Sequence, residues 1–220
     1  MPRRFDEDLS KLRHQLVAMA ALAEGMTRKT MAALVERNPV LIEELEQDEK
    51  RMDAYQSEID SETVRLIGVH TPVAGDLRVL LMITRINAEL ERVGDQAISV
   101  CHTYLNLKLL EEPPLKPLMD LPRMAAIAEG MLHRAMGAFT TGSAEECLAV
   151  IREDDQVDLL NDQIFRELLT YMANDVRTTT RALGLVLAAR GFERIADHAV
   201  NIAEDVVYIV RGEDIRHTNK

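Results

Sequence analysis

Near its C-terminal end the sequence reads Glu193-Arg194-Ile195-Ala196-Asp197-His198, and an earlier segment reads Glu91-Arg92-Val93-Gly94-Asp95. Both segments have the form Glu-Arg-apolar-small-Asp. A Glu and an Asp four residues apart lie on the same side of an α-helix, so their carboxylates can converge on one point. Two like charges held together in this way destabilise a helix by up to about half a kcal/mol. A pair that occurs twice therefore predicts a bound cation, whereas a solvated charged face is the usual explanation of a single Glu-x-x-x-Asp.

A second repeat extends this duplication towards the N-terminus. Residues 19–26 and 124–131 differ at one position of eight, at an offset of 105, whereas the two Glu-Arg motifs lie 102 apart. The second half has therefore lost three residues between these points. Apolar side chains recur at spacings of three and four throughout both halves, and no β-alternation of useful length is present. The sequence predicts an all-α fold of two tandem, pseudo-repeated three-helix bundles.

Local signals divide the chain further. Asn38-Pro39, Thr71-Pro72 and Gly142-Ser143 interrupt the helical spacing, and Gly212 ends it. We expect the third helix to run from about Val73 to Leu110. Residues 112–117 form a Pro-rich segment, which a linker between halves and a loop inside one continuous domain explain equally well. We predict a first three-helix bundle at 1–112, a linker at 113–117 and a second three-helix bundle at 118–220.

Each half also has a second acidic pair at four-residue spacing on its middle helix. Two helices with such pairs can bring four carboxylates together. The candidate metal ligands are therefore Glu49, Asp53, Glu91 and Asp95 in the first half and Asp154, Asp158, Glu193 and Asp197 in the second. Carboxylates and water suit Mg²⁺, Mn²⁺, iron or Ca²⁺, whereas zinc usually takes Cys or His. On spacing alone, ion pairs of the middle-helix acids with Arg92 and Arg194 are an equally good interpretation.

Composition narrows the class of protein. The 220 residues have a formal net charge of −11, which is the wrong sign for a general nucleic-acid binder. The longest apolar run, residues 182–189, is too short to span a bilayer, and the acidic start of the chain does not suit a signal peptide. Cys101 and Cys147 have no C-x-x-C spacing, which indicates a reducing compartment. We therefore expect a cytoplasmic protein. The sequence contains no phosphate-loop, dinucleotide-binding or nucleophile-elbow motif, so we do not expect an enzyme.

Several motifs together resemble those of the PhoU family of regulators of phosphate-specific transport. The C-terminal run of residues 192–208, followed by residues 212–217 with the sequence Gly-Glu-Asp-Ile-Arg-His, is similar to the signature of that family. Residues 72–78 and 90–95 resemble its first-half motifs, so the likeness covers nearly the whole chain. Gly75 departs from the Ser that is common in the family. Glu49 replaces an Asp, which could alter the reach of that ligand.

The resemblance implies more than the residues themselves do. PhoU proteins are paired three-helix bundles, and members bind iron or other metal clusters through Glu/Asp-x-x-x-Asp motifs that match the eight acids above. The resemblance therefore implies a metal-ion cluster, with iron first and manganese, magnesium, zinc or calcium as alternatives. It implies a negative regulator of phosphate uptake and of the phosphate-starvation response, and a homodimer. Its expected partners are a sensor histidine kinase and the ATPase subunit of the phosphate importer.

Two other classes of function stay open at this point. The first is a carboxylate-bridged di-iron enzyme of ferritin type, but such sites need Glu-x-x-His pairs on two helices, and the sequence contains none. The second is a purely structural helical module whose acidic pairs are solvated. Metal analysis separates the second class from the others, and oxygen consumption with ferrous iron separates the first.

Overall fold

The computed structural model describes residues 4–116 and 118–216. Within these residues the chain forms six long α-helices and a short 3-10 turn, and no β-strand. The helices are α1 Arg4–Glu36, α2 Pro39–His70, α3 Gly75–Asn106, α4 Asp120–Thr141, α5 Ala144–Asn174 and α6 Thr179–Arg211, with the 3-10 turn at Val176–Thr178. None of these described helices combines the length and the apolar character needed to cross a membrane. The predicted all-α fold is confirmed.

Capping chemistry explains most of the helix ends. The side chain of Asn38 accepts a hydrogen bond from the backbone N of Val40 at 3.1 Å and so caps α2. Ser143 caps α5 in the same way by accepting from the backbone N of Glu146. Gly142 and Gly212 end α4 and α6 with φ of 71° and 72°, a left-handed conformation that glycine adopts without strain.

The third helix is shorter than predicted at both ends. It begins at Gly75 because Ala74 before it has φ of 47°, outside the helical region. It ends at Asn106, and Lys108 with φ of 53° then turns the chain. The segment from 107 to 110 is mainly apolar but forms turns: its backbone N–H groups bond back to Thr103, Tyr104 and Leu105, while the carbonyls of Leu109 and Leu110 accept from Arg37.

Each half is a three-helix bundle. Helices α1, α2 and α3 pack on one another, as do α4, α5 and α6. The core consists of the seam residues, among them Leu16 on α1, Met52 on α2 and Ile86 on α3, all fully buried. The two bundles join through α3 against α6 and α1 against α4. The two helices with the Glu-Arg motifs therefore lie side by side in the middle of the molecule.

Ion pairs repeat the internal symmetry. Lys29 on α1 pairs with Asp48 on α2 at 2.7 Å, and Arg134 pairs with Glu153 at the positions 105 residues later. Because Asp48 is only 8% exposed, this pair neutralises a buried acid of the middle helix.

A second symmetric set joins α1 to α4. Arg28 pairs with Glu129 at 2.6 Å, and His133 pairs with Glu24 at 3.2 Å. Glu24 and Glu129 are 105 residues apart, as are Arg28 and His133. The duplication in the sequence is therefore a duplication in space, with the two halves facing each other.

The contacts between α3 and α6 show that the two helices are antiparallel. Arg85 near the start of α3 pairs with Asp205 near the end of α6 at 3.2 Å, whereas Val100 near the end of α3 lies against Gly191. A Cβ atom added at Gly191 would overlap Val100 Cγ2. Glycine at this position therefore lets the two helices approach closely.

The segment after α3 is fastened to both bundles. Arg37, directly after α1, donates from Nη2 to the carbonyl oxygens of Leu109 at 2.9 Å and Leu110 at 2.6 Å, and to that of Glu112. Arg181 of α6 donates to the carbonyl of Pro113 at 3.2 Å. Pro117 of the predicted linker lies outside the described residues, as do residues 1–3 and 217–220 of the predicted bundles. The division of the chain at residues 113–117 stays a prediction of the sequence.

Candidate metal centres

The first acidic group faces the groove between α2 and α3. Glu49 and Asp53 lie one turn apart on α2, and Glu91 and Asp95 lie one turn apart on α3. Glu49 and Glu91 are half-buried, whereas Asp53 and Asp95 are exposed. Each helix therefore presents one carboxylate close to the core and one close to solvent.

The second acidic group repeats this pattern between α5 and α6. Asp154 and Glu193 are half-buried, and Asp158 and Asp197 are exposed. Every acid thus has the same degree of burial as its counterpart in the other half. The two groups are pseudo-equivalent in space as well as in sequence.

Mutual repulsion is strongest in the second group. Burial and, in decreasing order, the charges of Asp197, Asp158 and Glu193 together raise the pKa of Asp154 to about 7. Burial also raises the pKa of Glu193, with Asp197 and Asp158 adding to the effect. The pKa of Asp197 is raised by burial and by Asp158. The structure therefore brings these four carboxyl groups within reach of one another's charge.

In the first group the same forces act among three acids. Burial raises the pKa of Glu91, and the charges of Asp95 and Asp53 add to this. Burial and the charge of Asp53 raise the pKa of Asp95. Glu49 lies one turn before Asp53, and its charge is not among the main influences on the pKa of Glu91 or of Asp95. The structure thus unites Asp53, Glu91 and Asp95 and leaves Glu49 at the margin.

No side chain in residues 4–116 and 118–216 forms a direct hydrogen bond or ion pair with the side chain of any of the eight acids, in contrast to Asp48. The charges of Arg92 on Glu91 and of Arg194 on Glu193 offset part of the rise in the pKa of these acids without direct pairing. Arg92 turns instead to Glu89, with 3.7 Å between Nη1 and Oε1. The interpretation of the middle-helix pairs as ion pairs with Arg92 and Arg194 therefore finds no support among the described side chains.

The placement of the side chains sets a limit on the cation sites. In the described part of the chain, no group of three or more His, Cys, Asp or Glu side chains is arranged to hold a metal ion. Each group is thus a set of neighbouring carboxylates whose oxygens have not converged. The donor chemistry suits a hard cation, and the side chains must rotate inward to bind it.

The small residues next to the motifs have a packing role. A Cβ atom at Gly94 would lie 3.3 Å from Cγ of Met52, so Gly94 lets α3 approach α2 closely. Ala196, its counterpart, is fully buried. These small residues set the distance between the two helices that hold each acidic group.

Sequence reasoning missed a polar network between the two groups. Glu89 Oε2 lies 2.7 Å from Nδ1 of His198 and accepts from Nδ2 of Asn201 at 3.0 Å. Burial is the largest single influence on Glu89 and raises its pKa, but the bonds from His198 and Asn201 together hold that pKa below its usual value. His198 and Asn201 thus link α6 to α3. The only signal was that His198 replaces the Gln96 of the first half.

Comparison with known proteins matches both halves. The family model described as the PhoU domain matches residues 16–103 and 121–206. The chain is 34% identical over 215 residues to the phosphate-specific transport system accessory protein PhoU homolog of Pseudomonas aeruginosa, which covers 98% of this chain and 88% of that protein. It is 33% identical over 214 residues to the accessory protein PhoU of Escherichia coli K12, with coverage of 97% and 88%.

Solved structures give the same result. The crystal structure of PhoU from Pseudomonas aeruginosa superposes with a TM-score of 0.90 at 32% identity, over 96% of this chain and 100% of that one. A phosphate transport system regulatory protein PhoU from Streptococcus pneumoniae superposes with a TM-score of 0.85 over 96% and 99%. At 23% identity this second likeness supports the fold alone.

Proposed function

The chain belongs to the PhoU family, and on that premise we propose that it is a cytoplasmic negative regulator of phosphate uptake and of the phosphate-starvation response. It acts as a metal-binding adaptor between the ATPase of a phosphate importer and a sensor histidine kinase. The relatives named above are accessory proteins of the phosphate-specific transport system, which supports a role in that system. The two free, buried cysteines suit a reducing compartment.

The proposal that metal binds rests on one observation. Seven of the eight carboxylates act on one another within two corresponding groups, and no side chain of the described residues pairs directly with any of the eight. Burial and mutual repulsion raise the pKa of several of them, so the metal-free groups are unfavourable. A cation in each group relieves this repulsion and ties the middle helix of each bundle to its third helix. We expect oxygen-only ligands, with iron first among the metals.

No catalytic step is part of this proposal. The sequence has no nucleophile or nucleotide-binding motif, and it has no Glu-x-x-His pair of the ferritin type. The relatives are named as accessory proteins, which fits an adaptor. A partner can bind to the surface of the six long helices, whose polar faces are charged. The whole chain has a formal net charge of −11. The expected homodimer would double that surface.

Deletion of the gene tests the regulatory role. Phosphate uptake should rise in phosphate-rich medium, because the repression by this protein is lost. Restoring the intact gene should return uptake to the starting rate. Unchanged uptake and unchanged expression of phosphate-starvation genes in the deletion strain would contradict the proposal.

Capture of partners tests the adaptor role. The full chain, used as bait in an extract of phosphate-replete cells, should retain the importer ATPase and the sensor kinase. The Asp95→Asn, Asp197→Asn double variant is the matched bait, since it keeps the fold and alters both acidic groups. If the intact bait retains the partners and the variant bait does not, the acidic groups and their metal are needed for partner binding. Retention of neither partner by the intact bait would refute the adaptor.

A further inference from the structure

A cavity of about 380 Å³ lies at the junction of the two bundles, far from the acidic groups. It is bounded by the end of α1, the end of α3, the segment that follows α3, and the first turns of α4 and α6. Its volume falls within the range of small-molecule sites in proteins. Its walls are mainly apolar, with Leu34, Leu109 and Leu185 among them. From this cavity we infer a binding site for a small amphipathic carboxylate, which has an apolar body and one negative charge.

The first observation behind this inference is a buried hydroxyl group. Tyr104 lines the cavity and is 6% exposed. Its Oη atom is buried and has no hydrogen-bond partner in the described chain. Because buried hydroxyl groups are nearly always paired, an unpaired one on the wall of a cavity indicates a missing polar partner. A carboxylate oxygen can accept the proton that Tyr104 offers.

The second observation is the charge around the cavity. Arg37 and Arg181 line it, and the one acid among the lining residues is Glu112. Lys116 also lines it but pairs with Glu167. The remaining balance is one positive charge, which matches a ligand with one negative charge. A phosphate dianion would leave this balance unfavourable.

Arg37 has donors to spare for such a ligand. Its Nη2 atom holds the carbonyls of the segment after α3, but among the described residues its Nε and Nη1 atoms make no hydrogen bond. The positive charge of Arg37 also acts on Tyr104, where it opposes the rise in pKa caused by burial. Because Arg37 and Tyr104 line the same cavity, one ligand can reach both the guanidinium and the hydroxyl group, and the leucines receive its apolar body.

The site joins both halves, but it is independent of the proposed regulatory function because it uses none of the eight acids. The test uses the full chain and isothermal titration calorimetry with octanoate, and octanol as the uncharged comparison. Octanoate should bind once per chain, and at least about tenfold more tightly than octanol, because a charge-assisted hydrogen bond is lost with the alcohol. No binding of octanoate at millimolar concentration, or equal binding of octanol, would overturn the inference.

Two variants locate the site. Tyr104→Phe removes a hydroxyl that has no partner, so the melting temperature should not fall, while the affinity for octanoate should fall several-fold. Tyr55→Phe on α2, away from the cavity, is the matched control and should bind as the parent does. Val35→Trp fills the exposed mouth of the cavity and should abolish binding. Full affinity in either the Tyr104 or the Val35 variant would place octanoate elsewhere and refute the site.

Discussion

At position 154 a half-buried aspartate is surrounded by three other acids, and no side chain of the described residues pairs directly with it. Asp48, on the corresponding helix of the first half, shows how the same chain treats a buried acid that is structural: it gives it Lys29 and Arg51. The contrast separates acids that stabilise the fold from acids that await a ligand. Substitution of single acids of each kind can therefore test their different roles in stability and in metal binding.

The first prediction concerns pH. Asp154 has a pKa of about 7 in the folded chain and 3.8 when unperturbed, so between these values the folded state binds more protons than the unfolded state. Its contribution to the free energy of unfolding therefore falls as pH rises from 3.8 to about 7 and stays lost above that. Asp154→Asn should stabilise the metal-free protein above pH 7 by on the order of 1 kcal/mol, after allowance for solvent screening.

Urea unfolding of parent and variant across this pH range measures the difference. The gap between them should widen as pH rises towards 7 and then remain constant. Asp205, whose pKa burial also raises to about 7, is present in both proteins and cancels. A gap that does not depend on pH would show that Asp154 does not carry this repulsion.

The second prediction concerns metal. At a free metal concentration roughly 100-fold above Kd, binding to one site adds about 2.7 kcal/mol to the free energy of unfolding. For a chain of this length that raises the melting temperature by about 5–10 °C. The Asp95→Asn, Asp197→Asn variant should lose most of this shift and most of its bound metal. Calorimetry with ferrous iron, manganese and magnesium measures both quantities.

Asp48→Asn is the control for that experiment, because Asp48 is an acid of the same helix with protein partners. It should reduce stability with and without metal and leave the metal-induced shift in place. Equal melting temperatures of metal-free and metal-loaded parent protein would contradict the prediction.

At the scale of the helix, glycine sets how closely α6 approaches α3. Gly191 lies against Val100, whose β-branched side chain has little freedom to move aside. Gly137 on α4 is also inside a helix, but it is exposed and an added Cβ atom would have nothing within 4 Å. The two positions form a natural pair for comparison.

The third prediction follows from that pair. Gly191→Ala should destabilise the protein by about 1–3 kcal/mol, because the extra methyl group overpacks the interface between the bundles. Gly137→Ala should stabilise it by about 0.5–1 kcal/mol through helix propensity alone. Denaturant unfolding of both variants checks the two signs. If Gly191→Ala stabilised the protein, the prediction would be wrong, because α3 and α6 could then move apart at little cost.

Helix ends show what could be predicted from sequence. Asn38 and Ser143 cap their helices and Gly212 ends one, as expected, because this chemistry is local. The end of α3 could not be predicted, since the residues after Asn106 are as apolar as those before. Arg37, which bonds to this turn, follows another helix and is distant in sequence.

At the scale of the whole molecule, two bundles share a long interface through α3 and α6. Beside the network of Glu89, His198 and Asn201, the interface has apolar contacts, and Val100 and Leu109, which lie against Gly191 and Gly184 of α6, are almost fully buried in it. The fourth prediction is therefore a single cooperative unfolding transition for the metal-free chain, because neither bundle can unfold without exposing this surface. Calorimetry and circular dichroism should give coincident transitions. Two resolved transitions would show that the bundles are independent.

Only part of the candidate site could be predicted from the sequence. Helical spacing and the duplication selected eight acids, of which the structure brings seven within reach of one another's charge, and their binding of metal stays a prediction. The network of Glu89, His198 and Asn201 could not be predicted, because it depends on the antiparallel register of α3 and α6. Spacing along one helix says nothing about which residues of another helix lie opposite.

In the terms used for oligomers, the contact between α3 and α6 is an isologous interface whose two subunits have been fused into one chain. In a true homodimer every contact would occur twice, and every substitution would appear on both sides. Here Glu89 binds His198, while its counterpart 102 residues later is Gly191, packed on Val100. Because the two copies belong to one chain, they can differ in sequence. One part of the interface is therefore a polar network, and the other is a close apolar contact.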